Sequence, residues 1–362
     1  MSRNLSRPAD AVPGACDPAM ASAPPDAGDP GIAAKVAFLR RPQSYPDDPG
    51  AVTVLETHMS WVFLTAHHAW KLRKPVCYGY LDFSTLAARR HDCDEEVRLN
   101  RRLTSGVYLG IVPLARDAAG ELHLDGDGEV VDWLVKMRRL PAERMLDHVL
   151  RTGTVDAADV ARVVAALGRA YRATPPVAID PAAYRQRLAD DIAANRRELC
   201  LPEWELPRDD IDAVCTRQQA FLDARATLFD ARVRDGRIVE GHGDLRPEHI
   251  CLLPEPQIID CLEFARDLRI ADVADELAFL ALECERLGAP ALGPAIFAAW
   301  HTVSGDAPPA ALVHFYQSYR ACVRAKIAIW HWREPAMFGL PKWEARAREY
   351  LQLAREHGAH LL

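Results

Sequence analysis

The chain has 362 residues, enough for two domains with cores of their own, and 49% of it is hydrophobic against 26% charged, the balance of a globular protein that folds without a disulfide framework or structural metal. A net charge of −7 excludes the basic footprint of a nucleic-acid-binding protein. Nine cysteines, nowhere spaced Cys-x-x-Cys, read as reduced and mostly buried thiols; with no apolar run of membrane-spanning length and no compact apolar block at the start, the expected setting is the cytoplasm, with no membrane partner.

Residues 1–30 are Pro, Ala, Asp and Gly with almost no large apolar side chains, so they read as a disordered tail. A short helical entry over 31–41 is stopped by the prolines of "RPQSYPDDPG". From Ala51, "AVTVLET", "SWVFLTA" and "AWKLRKPV" predict a three-stranded meander. The stretch "FSTLAARRHDCDEEVRLNRRL" predicts a helix capped by Ser84 or Thr85, and "GIVPLAR", "ELHLDGDG" and "VVDWLVKMRRLP" supply two or three more strands joined by Asp-Gly turns. After Pro141 the pattern is helical, over 156–173, 183–199, 209–231, 272–287, 290–302, 309–331 and 341–356. The interruption is β-like: "RIVEGH", "HICLLP" and "QIIDCLEF". No internal repeat and no sustained heptad sets an oligomeric state.

That interruption contains "GHGDLRPEHICLLPEPQIIDCLEF", residues 241–264, with Asp244 and Asp260 placed 16 residues apart. One carboxylate to orient a hydroxyl and another to hold a cation is the division of labour that phosphoryl transfer requires. Asp244 beside Gly243 could instead satisfy its own turn, but Asp260 between "II" and "CL" is a charge in an apolar run, and such a carboxylate needs a partner or a metal.

"HGDLRPEHICL" resembles the catalytic loop of the protein-kinase superfamily, His-x-Asp-Leu-x-Pro-x-Asn, and "IIDCLEF" resembles its metal-binding segment. The His-Gly-Asp form, continued by "ADVADELAFLALE", is more similar to the aminoglycoside phosphotransferase branch. "ETHMSWVFLTAHHAWKLRKPVCYGYLDFSTLAARRHDCDEEVRLNRRL" resembles an uncharacterised bacterial subgroup of aminoglycoside phosphotransferase-like proteins, some with a fused nucleotide-kinase domain. No Gly-x-x-x-x-Gly-Lys-Ser/Thr occurs, so that second domain is not expected.

The resemblance, over roughly residues 50–335, implies an α+β, two-lobed protein-kinase-like fold, with a small β-rich N-lobe over 31–140 and a larger helical C-lobe over 141–362. It implies ATP- and Mg²⁺-dependent transfer of a phosphoryl group to a hydroxyl of a small-molecule acceptor. By the same resemblance Asp244 accepts the hydroxyl proton, Asp260 ligates Mg²⁺, Lys71 rather than Lys74 contacts the α/β-phosphates, and Glu96 rather than Glu95 is its helix partner. By the same resemblance Ala69 would face the adenine, and the strand "WLVKMRRLP" would supply the hinge between lobes, with Val135 to Arg138 near the adenine. "THMS" replaces a glycine-rich loop, so the Ser60 hydroxyl and nearby amides are expected at the phosphates. Arg246 matches the catalytic-loop lysine and would stabilise charge on the transferring group.

His249 departs from the pattern by standing where it has asparagine, and imidazole suits Mg²⁺ poorly. Either a second metal is lost, or His249 reaches phosphate directly or through water. With the missing glycine loop, His249 also motivates the alternative of a nucleotide-binding pseudokinase acting as a regulatory module. His242 reads as structural, and Asp272 and Asp275 as helix-capping acids, the resemblance adding that Asp275 braces the catalytic loop. Tyr316, Tyr319, Val323, Ile327 and Trp330 form a core stripe. Arg320, Arg324 and Lys326 flank it as a solvated rim or, alternatively, as a basic acceptor pocket that would not suit a polycationic aminoglycoside.

Overall fold

The computed structural model describes residues 30–45, 48, 50–78, 81–333 and 340–361, so the tail expected over 1–30 lies, but for Pro30, outside the described residues. The chain divides into two compact units, Met1–Arg144 with Pro256–Arg266, and Met145–Glu255 with Asp267–Leu362.

The first unit opens with helix α1 (Gly31–Leu39), followed by strands β1 (Thr53–Glu56), β2 (Ser60–Leu64), β3 (His68–Arg73), β4 (Cys77–Tyr78) and β5 (Leu81–Asp82). Helix α2 (Leu86–Asn100) and strands β6 (Tyr108–Arg116), β7 (Leu122–Leu124) and β8 (Glu129–Arg138) complete it. The expected meander forms one side of an antiparallel six-stranded sheet in the order β1-β2-β3-β8-β6-β7. Of the two candidate caps on α2, Thr85 is used, accepting from Ala88 N at 3.1 Å.

The period of two along β3 explains the layering. Trp70 and Leu72 join Val36, Leu39, Tyr45 and Phe63 in one core, while Ala69 packs against the cluster of Cys93, Val97, Tyr108, Val135 and Met137. Lys71 and Arg73 share the parity of Ala69 and so reach the acids of α2. A buried ionic group ties both helices to β8: Asp132 accepts from Lys35 at 2.9 Å and from Arg89 at 2.8 Å. Gly110, at φ 152°, occupies a register shift in the β6–β8 pairing, where its open backbone conformation admits the bulge.

The second unit comprises α3 (Leu146–Thr152), α4 (Ala157–Ala173), α5 (Pro181–Leu199), α6 (Arg208–Ala224), α7 (Ala226–Arg234), α8 (Val273–Arg286), α9 (Leu292–Ser304), α10 (Ala310–Arg333) and α11 (Pro341–Gly358). The helix expected over 209–231 is two helices, interrupted at Arg225 with φ −111° and ψ 24°. Every residue of α8 from Val273 to Cys284 is buried, as its nearly all-round apolar sequence requires. Phe221, Phe229, Phe315 and Tyr316 pack ring against ring beside it. An antiparallel pair of short strands, Ile238–Glu240 with Ile270–Asp272, carries the chain into and out of the loop that holds Asp244.

Among the described residues, no helix is long and apolar enough to cross a membrane. Seven cysteines among the described residues are free thiols, six of them buried, but Cys77 is disulfide-bonded, so the expectation of reduced thiols is not met there.

Candidate functional site

In the first unit Lys71 lies between two carboxylates, its Nζ 3.0 Å from Glu96 Oε1 and 2.8 Å from Asp260 Oδ1. The neighbouring candidates are elsewhere: Lys74 pairs with Glu56 and Glu95 with Arg98, both at partly exposed positions. Burial and Arg73 push the Lys71 ammonium down, but Asp260 and Glu96 outweigh them, so it stays a cation. Asp260 itself takes a left-handed backbone, φ 60°, uncommon for any residue but glycine and tolerated best by Asp and Asn. Its N–H donates to the Tyr108 hydroxyl at 3.1 Å, and the next amide, Cys261 N, donates to Asn100 Oδ1 at 2.9 Å. Asn100 Nδ2 in turn donates to the Glu96 carbonyl at 2.8 Å, which ties the Asp260 segment to α2.

Sequence reasoning passed over the centre of this cluster, Arg73. Its side chain is buried and its guanidinium donates to Ser60 Oγ at 3.0 Å, pairs with Glu96 Oε2 at 2.5 Å and with Asp92 Oδ2 at 2.6 Å, and contacts Glu263. Ser60 is therefore turned inward, 1% exposed, and the expectation that its hydroxyl faces phosphate is corrected. It accepts from Arg73 because the guanidinium is the stronger local donor. Four carboxylates, of Asp92, Glu96, Asp260 and Glu263, meet two cations here. Burial, outweighing Arg73 and Lys71, pushes Glu263 up to about 8, and Asp92 likewise rises to about 6.

Carboxylate oxygen is the donor type a magnesium ion takes, but Asp92, Glu96 and Glu263 are buried against Lys71 and Arg73. Asp260, its side chain 45% exposed, presents the accessible carboxylate. Among the described residues no group of three or more His, Cys, Asp or Glu is set to hold a metal.

In the second unit the loop after Glu240 is held from below by Glu276. Its carboxylate accepts from His242 N at 2.6 Å, Gly243 N at 2.9 Å and the Tyr171 hydroxyl at 2.9 Å. Asp275, on which the bracing role was expected, instead binds Arg320 through two bonds of 2.7 Å. The two acids are adjacent on the buried stretch of α8, and about 100° of helical rotation separates their directions. Arg320 is consequently buried and not part of a solvated rim. Asp272 caps α8 as expected, accepting from Ala274 N at 2.9 Å, and also binds Arg232.

Asp244 sits above this brace. Arg246 Nε donates to its Oδ2 at 3.0 Å, Arg324 Nη1 lies 3.7 Å from its Oδ1, and its own N–H reaches His242 Nδ1 at 3.3 Å. Burial would raise the carboxyl, but Arg246, His249, Arg324 and His242 together hold it at about 2, so it is ionised at neutral pH. His249 stacks on His242 at 5.8 Å, and its Nδ1 is 2.9 Å from the Asp244 carbonyl oxygen. Since a carbonyl only accepts, Nδ1 carries the hydrogen and Nε2 is left facing Arg246 Nη2 at 3.4 Å. Arg246 also pairs with Glu248 at 2.6 Å.

No family model matches the chain. Uncharacterised proteins of Mycobacterium tuberculosis and Mycobacterium bovis are 33% identical to it over 320 residues, covering 87% of this chain and 61% of theirs. The chain thus spans about three fifths of the length of the curated relatives it matches. Among solved structures, a choline/ethanolamine kinase family protein from Mesorhizobium loti matches 91% of this chain and 98% of its own, with a TM-score of 0.52 and 14% identity. The GDP complex of aminoglycoside 2'-phosphotransferase-IIIa matches 90% and 98%, with a TM-score of 0.48 and 13% identity. By the first of these likenesses the chain has the protein-kinase-like fold that the sequence resemblance implies.

Proposed function

We propose that this chain of protein-kinase-like fold is an ATP- and Mg²⁺-dependent phosphotransferase that moves a phosphoryl group to a hydroxyl of a small-molecule acceptor, in the cytoplasm. The observation that carries the proposal is Asp244, a carboxylate held ionised on a loop whose amides Glu276 fixes. An anionic oxygen in a set position orients an attacking hydroxyl and takes its hydrogen bond, which is most of what a protein contributes to phosphoryl transfer. With a pKa of about 2, Asp244 acts chiefly by orientation, receiving the proton as the phosphorus–oxygen bond forms.

Lys71, kept charged by Glu96 and Asp260, is the cation for the nucleotide phosphates. Asp260 would hold Mg²⁺, whose chemistry is to offset charge on the phosphate oxygens. For His249, the hydrogen bond to the Asp244 carbonyl supports a positioning role over that of a second metal ligand. Arg246 fixes the Asp244 carboxylate with one edge and stays near the reacting group with its charge.

The test is incubation of the purified chain with labelled ATP, Mg²⁺ and a metabolite extract, alongside Asp244→Ala. Label in a new compound with the parent and none with the variant is the expected result. The same transfer by Asp244→Ala would sink the mechanism. The pseudokinase alternative rests on His249 in place of asparagine and on a phosphate loop without glycines, whose Ser60 is turned inward. It predicts tight nucleotide binding with no labelled product from any extract.

A further inference from the structure

We propose that Arg324 receives an anionic group, a carboxylate or a phosphate, carried by the acceptor a few bonds from the hydroxyl that Asp244 orients, so that the acceptor class is an anionic alcohol. This rests on the phosphotransferase reading and specifies its substrate. Arg320 and Arg324 are one helical turn apart on α10 and point the same way, yet their surroundings differ. Arg320 is matched by both oxygens of Asp275 at 2.7 Å. Among the described residues Arg324 makes no hydrogen bond: its nearest carboxylate oxygens there are Asp244 Oδ1 at 3.7 Å and Glu283 Oε1 at 4.0 Å, attractive in charge but beyond bonding distance.

The neighbouring acids are already taken. Glu283 accepts from the Tyr350 hydroxyl at 2.5 Å and from Arg286 Nε at 2.9 Å, Asp244 Oδ2 from Arg246 Nε at 3.0 Å, and Glu248 pairs with Arg246 at 2.6 Å. A guanidinium carries five N–H donors, and Arg324 Nε is buried with none of its capacity met by a hydrogen bond. The group is held over the rings of Phe279 at 6.0 Å and Tyr350 at 5.8 Å, which fix its plane and lower the local dielectric.

With its side chain 17% exposed, Arg324 is reachable from outside. A planar, under-bonded guanidinium next to the orienting carboxylate matches the paired oxygens of a carboxylate or phosphate and repels a cationic acceptor. A neutral polyol can accept from these donors but brings no charge to match the guanidinium.

The extract is separated by anion exchange before the labelled-ATP assay, using the full chain. Acceptor activity is expected in the retained, anionic fraction. Arg324→Gln is expected to raise the acceptor KM by about tenfold or more while the ATP dissociation constant stays within about twofold, with Arg324→Lys intermediate. Treating the retained fraction with phosphatase, then inactivating the phosphatase, separates the sources: activity lost means a phosphate on the acceptor, activity kept means a carboxylate. Acceptor activity confined to the unretained fraction overturns the proposal and leaves the phosphotransferase intact. An equal fall in transfer and in ATP hydrolysis for Arg324→Gln also overturns it, by placing the residue on the nucleotide. Absence of transfer to every fraction overturns both.

Discussion

Asp244 and Arg73 illustrate opposite uses of a buried charge at the residue scale. Asp244 is kept ionised by the cations around it, at about 2, so its carboxylate is fully formed above about pH 4. Any acid limb in kcat/KM above that pH belongs to another group, and a pH-rate profile checks this. Asp244→Asn should lower transfer by about 10²–10⁴-fold with nucleotide affinity within about twofold. Arg73 instead neutralises carboxylates that have no other route to water. Arg73→Met should cost about 3–5 kcal/mol in chemical denaturation. The loss should grow between pH 5 and pH 8, because acids left without their cation hold protons in the folded state that the unfolded chain releases. The pairing of Lys71 with Glu96 was legible, because motif spacing selects the lysine and helix parity the acid. Arg73 has the same parity as Lys71, two residues along β3 and facing Asp92 and Glu96, so the signal existed; a strand arginine is ordinarily solvated, and that default hid it.

Elements rather than residues set the loop that carries Asp244. At Gly241 an added Cβ would lie 2.6 Å from Glu276 Oε2 and 2.7 Å from its Cδ, and Glu276 is buried and holds two loop amides, so it has nowhere to move. Gly241→Ala should therefore displace the loop, costing about 1–3 kcal/mol and most of the transfer activity, measurable in parallel by denaturation and by the labelled-ATP assay. The α10–α11 contact carries a pH response of its own. His314 faces His357 and His360, with Glu285 on the far side of His357. Burial, then those two histidines, lowers His314 from 6.5 to about 4. Between these values the unfolded chain binds the extra proton, so the stabilisation is full above pH 6.5 and is lost as pH falls towards 4. Urea midpoints at pH 7.5 and pH 5 should differ, and His314→Gln should shrink the difference. Helix existence was legible from periodicity along most of this unit, whereas α3 and the break at Arg225 were not. A seven-residue helix and a single displaced residue leave too little periodic signal.

For the whole molecule, the informative feature is that the first unit is not continuous in sequence: Pro256–Arg266 belongs with Met1–Arg144. Hydrophobic pattern cannot reveal this, since the inserted segment supplies mostly polar anchors. Gln257 Oε1 accepts from Ser105 N at 2.9 Å, Asp260 N donates to Tyr108 and Cys261 N to Asn100, while Ile259 packs on the Cys93–Val97 cluster. A fragment of residues 30–144 loses all of these together. It should be about 3 kcal/mol or more less stable than the same fragment joined by a flexible linker to residues 256–266, three hydrogen bonds at about 1 kcal/mol each forming the minimum. Charge gives a second, independent signature. Without the segment Lys71 and Arg73 face only Asp92 and Glu96, two cations against two carboxylates. With it, Glu263 joins at about 8, above its unfolded value of 4.5, so the folded form holds a proton that the unfolded form releases. The joined fragment should therefore lose stability as pH rises from about 4.5 to 8, while the shorter one, left with only Asp92 raised to about 6, loses less and levels off above that pH. Denaturation of both fragments at pH 5 and pH 8 decides the matter, and parallel pH dependence would show that Glu263 does not set the electrostatics of this unit.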